Sequence, residues 1–199
     1  MAEARSPQKI RVETRNFILR TVEAADVTPR WAAWLADPEK TRMLNARPIT
    51  LSVADLHKYL ANFDQVKAHC LGIFDRDTGQ MLGFWEVYVD WTHREFLLNV
   101  MLGERPREGL RAREETQNAL TFYFFGELGL EAMRCSVLST NAPVLHVLTF
   151  NGAVHEHTSH KPSAAGGEPV ALHHYRVTRE AWAAARARRL AREAAAQPS

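Results

Sequence analysis

Cysteine is scarce: Cys70 and Cys135 are the only two in 199 residues, and both lie inside apolar runs, HCLGIF and RCSVL. Two thiols so placed read as buried and reduced rather than as a disulfide framework. The expected compartment is therefore the reducing cytoplasm. Long hydrophobic runs are missing too. No stretch approaches 18 continuous apolar residues, which excludes a helix crossing a bilayer, and MAEARSPQK has no apolar signal core. The chain also lacks an excess of either charge. Its 25 Lys and Arg against 23 Asp and Glu leave a net +2, so the body is not a basic nucleic-acid platform. The exception is the end of the chain. Thr178 to Ser199 holds five arginines and two glutamates, +3, leaving −1 for the rest. That segment reads either as a solvated helix or as a surface for ribosomal RNA or an acidic partner.

What is present is patterned as one domain. NFILRTV (16–22) alternates as a strand, and Val27, Trp31, Trp34 and Leu35 follow at helical spacing up to Pro38, which is expected to close that helix. Ser52 and Asp55 form a capping box for a second helix. DRDTG separates two strand-like runs as a hairpin turn. In EFLLNVML, Phe96, Leu98, Val100 and Leu102 share one face and Glu95, Leu97, Asn99 and Met101 the other. A long helix is expected over 111–126, with Ala112, Thr116, Ala119, Leu120 and Tyr123 as its apolar stripe and Gly129 as its stop. A strand, EAMRCSVL, precedes a short helix with Asn141 as N-cap and Pro143 in its first turn. GAVHEHTSH and VALHHYRVT read as two more strands around the loop KPSAAGGEP, before a basic helix at 179–196. The order β, α, α, three β, α, β, α, two β implies an α/β fold with a mixed sheet. The expected boundaries are a loose arm at 1–13, a domain at 14–180 and a basic tail at 181–199.

One junction carries unusual charge. NVMLGERPREGLRARE places four arginines where an apolar strand gives way to a helix start. A helix beginning near Arg111 directs unpaired N–H groups and its positive dipole end at the preceding turn, an arrangement that stabilises an anion. The alternative is a solvated arginine cluster on a loop.

Together, ETRNFILRTVEAADV, GQMLGFWEV and FFGELGLEAMRCSVLSTNAPVLHVLTFNG resemble the GNAT superfamily of N-acetyltransferases, nearest its RimJ/RimL branch, which modifies ribosomal-protein N-termini, over residues 14–180, and a bacterial source is expected. The resemblance implies the GNAT (acyl-CoA N-acyltransferase) fold, a mixed, mostly antiparallel sheet flanked by helices. It also implies acetyl-CoA as co-substrate, no metal, and an amine acceptor that is a peptide N-terminus or a small molecule. Homodimers are common in that family. By the same resemblance REGLRA is the pyrophosphate turn, running from Arg107 through Glu108, Gly109, Leu110 and Arg111 to Ala112, with Arg113 beside it. Leu110 stands where the family has glycine, and Gly109 comes one residue early. The backbone of Val100, Met101 and Leu102 is expected to face the thioester, and Asn141 to open the helix next to the cofactor.

The side chains that move protons in the family are replaced: Leu148 stands at the usual tyrosine, Val144 at a frequent serine and Leu97 at a frequent glutamate. Glu86, Glu95 and His157 are then the candidate catalytic groups, with His146 and His155 nearby in sequence. His155 and His157 have the spacing of a two-ligand metal pair, with His173 or His174 within reach of the next strand, but no Cys or carboxylate completes a set. A site with little base favours a low-pKa acceptor. At pH 7 a lysine near 10.4 costs about 4.6 kcal/mol to deprotonate, an α-amine near 7.8 only about 1. The expected reaction is direct attack by a primary amine. The alternative is a module that binds coenzyme A or a peptide without turnover.

Overall fold

A computed structural model describes residues 5–42, 44–105 and 111–195. The elements are β1 (Arg11–Glu13), β2 (Phe17–Thr21), α1 (Pro29–Ala36), α2 (Pro38–Arg42), α3 (Val53–Leu60), β3 (Ala68–Asp75), β4 (Met81–Asp90), β5 (Glu95–Leu102), α4 (Ala112–Phe122), β6 (Ala132–Leu138), α5 (Ala142–Phe150), β7 (Val154–Lys161), β8 (Val170–Thr178) and α6 (Arg179–Ala195). One eight-stranded sheet runs β1-β2-β3-β4-β5-β6-β8-β7. Only β5 and β6 pair parallel; every other neighbour is antiparallel.

The sheet separates two cores. One face carries Phe17, Leu19, Ile73, Trp85 and Phe96 against Ala112, Leu120 and Phe124 of α4 and the turn that follows it. The other carries Cys70, Phe84 and Met101 against Trp31 and Trp34 of α1 and Leu56 of α3. The α4 stripe read from the sequence is buried: Ala112 and Leu120 are 2% and 0% exposed, and the Thr116 hydroxyl accepts from Trp85 Nε1 at 3.0 Å, tying α4 to β4. The capping box of α3 forms, with Asp55 N donating to Ser52 Oγ at 3.1 Å and Ser52 N to Asp55 Oδ2 at 3.2 Å. Gly129 adopts φ +66°, as a helix stop requires.

Four expectations are corrected. Arg11–Glu13 is not part of an arm; it pairs with Ile18–Arg20 as β1. Pro38 opens α2 rather than merely closing α1, because Asp37 Oδ1 accepts from Glu39 N at 2.9 Å and caps a new helix whose first residue needs no N–H. The long helix ends as an α-helix at Phe122 and continues as a π turn, Tyr123–Glu127, which buries Tyr123, Phe124 and Phe125 together. The basic helix is not solvated all round: Trp182 packs in the core at 5.6 Å from the Phe125 ring, and Ala185 is 1% exposed. Among the described residues no helix is long and apolar enough to cross a membrane.

Candidate active site

The site begins with a pairing that stops early. β5 follows β4 from Asp90↔Glu95 to Gly83↔Leu102, but it follows β6 only at Glu95↔Ala132, Phe96↔Met133 and Leu97↔Arg134. Beyond Leu98 the two strands diverge, and a cleft of about 910 Å³ opens between them. Ladder alternation decides which backbone groups face it. Gly103 N donates to Leu82 O at 2.9 Å, towards β4, so Met101 and Asn99 also direct their backbone at β4, while Val100 and Leu102 direct theirs into the gap. Of the three backbone positions expected at the thioester, Met101 thus contributes its side chain to the second core instead.

On the α4 side the cleft is lined by Arg113, Gln117 and Cys135. Arg113 is half-buried, and among the described residues it makes no ion pair or hydrogen bond. Burial draws its pKa down from the ordinary value, with Glu114 opposing the shift from a distance, yet a guanidinium keeps its charge, so its donors are available to an anion in the cleft. Burial pushes the Cys135 thiol up to about 12, which removes it as a nucleophile at neutral pH. Arg111 occupies the N-cap position of α4, exposed and paired with Glu114 at 3.3 Å. Ala112 is in the core. Arg107, Glu108, Gly109 and Leu110 lie outside the described residues.

The opposite side of the cleft holds a carboxylate. Glu86 on β4 stands across from Asn99 on β5, and both line the cleft. The Tyr59 hydroxyl, from α3, donates to Glu86 Oε1, and the Tyr88 hydroxyl donates to Oε2 at 3.1 Å. Burial and then the adjacent carboxylate keep both phenols protonated: Tyr59 is raised far above its usual value and Tyr88 to about 12. Tyr59 was not among the sequence candidates. Its helix is visible in the sequence, but the strand it leans on is not.

The other candidates separate. Glu95 is 13% exposed and bonded by Arg134 Nε at 2.6 Å and Arg176 Nε at 2.9 Å, at the end where β5 and β6 are still paired. It does not line the cleft. His157 is exposed on β7, its ring stacked on that of His174 at 4.2 Å, and it too lies off the cleft wall. Asn141 lines the cleft from the N-cap position of α5 with its side chain uncommitted to capping. Val144 also lines it, and Leu148 is 2% exposed. Among the described residues no group of three His, Cys, Asp or Glu is arranged to hold a metal.

The mouth is apolar and roofed. Leu44 and Ile49 line it at 45% and 50% exposure. Asn45 clasps their loop to the loop between β7 and β8: its Nδ2 donates to Pro162 O at 3.2 Å and its Oδ1 accepts from Ala164 N at 2.9 Å.

Strand order, the splay and the flanking helices define an α/β fold of the acyltransferase class. The chain matches the family model described as acetyltransferase (GNAT) domain over residues 16–154, and it belongs to that family. Its fold is shared by a spermidine N-acetyltransferase from Vibrio cholerae, solved in complex with CoA and spermine (TM-score 0.72, 15% identity, covering 85% of this chain and 99% of that one). A GCN5-related N-acetyltransferase from Brucella melitensis is similar as well (TM-score 0.71, 17% identity, 91% and 84%). So is a structure from Vibrio cholerae assigned as a ribosomal-protein-serine acetyltransferase (TM-score 0.60, 19% identity, 87% and 99%). No curated protein matches the chain.

Proposed function

We propose that the protein transfers acetyl from acetyl-CoA to a primary amine by direct attack, and that it sits with the RimJ/RimL-like members of its family. The observation that carries this reading is the gap beyond Leu98, where two successive outward backbone positions, Val100 and Leu102, face a cleft with a half-buried arginine on one side and a carboxylate on the other. Those features suit the co-substrate. Arg113, with the start of α4, would hold an anionic group, and the apolar wall formed by Leu98, Val144 and Leu148 would enclose an extended chain. When bound, acetyl-CoA supplies an activated thioester carbonyl. The N–H groups of Val100 and Leu102 are placed to stabilise negative charge on an oxygen in the gap, a role independent of side-chain identity. Glu86, fixed by Tyr59, opposes the positive charge of an incoming ammonium.

The acceptor half narrows the amine. Among the described residues Glu86 and Glu39 are the only carboxylates on the cleft wall, Lys40 lies beside Glu39, and Leu44 and Ile49 present exposed apolar surface. A singly charged amine on an apolar body fits this better than a polyamine, which needs several carboxylates. The α-amine of a peptide with an apolar first residue combines that shape with a low pKa.

The test has two stages. Thermal shift with acetyl-CoA reads binding; a ligand at 100 times its dissociation constant adds about 2.7 kcal/mol. Thiol release with N-terminal peptides, phenethylamine and spermidine then reads turnover. The expected order is apolar amines above spermidine. A second reading, a module that binds without turnover, is favoured by Leu148 and Val144, which put no hydroxyl on the α5 wall. A clear shift with no thiol release on any amine would select it.

A further inference from the structure

Opposite Glu86, across the cleft, three strands line up a different set of groups. Ser136 on β6 lines the cleft and pairs in register with His174 on β8. The two touch: Ser136 Oγ lies 2.9 Å from His174 Nδ1. The other ring nitrogen, Nε2, lies 2.7 Å from Ser159 Oγ on β7, the edge strand of the sheet. His157 stacks on the His174 ring with the planes 9° apart, which holds the imidazole in the plane of the two hydroxyls. Alternation places this row on the acceptor face. Met133 belongs to the α4-side core, so Ser136, three residues on, faces the other way, as Asn99 does relative to Phe96.

A second imidazole–hydroxyl row on these strands, His155–Thr158–His173, has no member on the cleft wall, whereas this one reaches it through Ser136. Each end is a hydroxyl, which both donates and accepts, and the middle is an imidazole whose two nitrogens exchange donor and acceptor roles between tautomers. One end is in the cleft and the other is on the outer edge of the sheet. Burial first, then the neighbouring His157, Lys161 and His155, hold His174 below the usual imidazole range, and Glu156 opposes them. These β7 groups, with Ser136 from β6, surround the ring. At neutral pH His174 is uncharged and able to take a proton. Both Glu86 oxygens already accept from phenols, whereas the serine–histidine wall is free to move a proton.

We propose that Ser136, His174 and Ser159 form the proton relay that deprotonates the acceptor ammonium and delivers its proton to solvent. The inference rests on the acetyltransferase reading. The ammonium N–H bond breaks and nitrogen keeps the electron pair. Ser136 Oγ takes the proton as its own hydroxyl proton passes to His174 Nδ1; the Nε2 proton passes to Ser159 Oγ, and the proton of that hydroxyl passes to water. The freed pair forms the N–C bond, the C–S bond breaks, and the second nitrogen proton passes to the departing thiolate. Before the next turnover water returns a proton to Nε2 through Ser159 as Nδ1 gives its own up through Ser136 to solvent in the emptied cleft, which restores the starting tautomer. Nothing is oxidised or reduced.

The test compares the full-length parent with Ser136→Ala, His174→Gln and His174→Gly on one apolar primary amine. Thiol release is followed across pH, and acetyl-CoA binding is read by thermal shift. Expected are losses in kcat of about 100-fold for Ser136→Ala and His174→Gln, the low end of general acid–base catalysis, with acetyl-CoA binding unchanged. The rising limb of the kcat profile should move to higher pH, and imidazole added to His174→Gly should restore rate in proportion to its concentration. A lost fold or a merely positional role gives no imidazole rescue and no displaced limb. If the parent turns over and these variants stay within about threefold of it with the same profile, the relay is overturned and the transferase stands. If the parent releases no thiol with any amine, the transferase reading itself falls.

Discussion

Gly83→Ala is expected to damage stability and catalysis together. Gly83 sits on β4 opposite Leu102, at the cleft end of the ladder. A Cβ placed on it would stand 2.2 Å from the Met101 carbonyl oxygen and 3.0 Å from Leu102 Cα, whereas ordinary contact begins at 3.4 Å. The obstacle is backbone, which cannot rotate aside, so the strands must part by about 1.2 Å, the difference between 3.4 and 2.2 Å. Gly103 N and Glu104 N both reach Leu82 O at 2.9 Å next to this point, and adding that displacement takes them beyond hydrogen-bond distance. Two bonds at about 1 kcal/mol each, with residual overpacking, give roughly 2–4 kcal/mol, or about 5–15 °C in Tm for a chain of this size. The moved segment carries the Leu102 N–H, and a displacement near 1 Å in a positioning group costs up to about 100-fold in rate.

Scanning fluorimetry and thiol-release kinetics at a temperature where the variant is folded would read both effects. Gly79→Ala is the control. Gly79 has φ +69° with nothing within 4 Å of the added carbon, so it should lose only about 1 kcal/mol from backbone strain and keep its rate. A Gly83→Ala protein with parental Tm and parental kcat would show that the close approach of β4 and β5 does not govern the cleft.

Three further outcomes follow. Arg113→Ala should raise KM for acetyl-CoA at least about tenfold with a smaller change in kcat, because a half-buried charge-assisted contact is worth about 1.5–3 kcal/mol; an unchanged KM would take Arg113 out of anion binding. Glu95→Ala should lower stability by about 1–3 kcal/mol, leaving two arginines facing each other, yet keep kcat within about threefold; a large loss of kcat at full stability would return Glu95 to the chemistry. His69 is 3% exposed, neither ring nitrogen has a well-formed hydrogen bond among the described residues, and burial lowers its pKa from 6.5 against the opposing pull of Asp64 and the Val66 backbone. The unfolded chain therefore binds a proton that the folded one refuses as pH falls through 6.5, so stability drops in that window and is complete above it. His69→Leu should shrink the Tm difference between about pH 7.5 and 5.5, and an undiminished difference would assign the acid sensitivity elsewhere.

Local chemistry explains which parts of this were readable in advance. Ser52 and Asp55, the DRDTG turn and the α4 stripe each act within a few residues, and each appears where the sequence puts it. Pro38 misled because a proline that ends one helix is equally suited to start another, and the choice rested on Asp37 capping forward. β1 was missed since three residues carry too little periodicity to register. Within the site, alternation correctly put Glu95 and Asn99 on one face of β5 but said nothing about position along it. Glu95 lies where β6 is paired and Asn99 where it has gone, and only the sheet register distinguishes them. Tyr59, Ser136 and His174 gain meaning from partners 27 or 38 residues away, a distance at which no spacing rule operates.

The clamp at Glu95 and the opening beyond Leu98 are two consequences of one arrangement. β6 has β5 and β8 as neighbours at Ala132–Arg134, but only β8 from Cys135 to Leu138. Glu95 binds Arg134 of β6 and Arg176 of β8, fastening three strands at one end. With that end fixed, the ordinary twist of strands that are no longer hydrogen-bonded is enough to carry β5 and β6 apart towards the other. The parting has a cost, since Val100 and Leu102 give up strand partners that backbone groups normally keep. A ligand with an extended backbone of its own amides could offset that cost by bonding along the exposed edge. The cleft would then favour such a chain over a compact ligand of equal charge, which makes the discontinued ladder itself a source of selectivity.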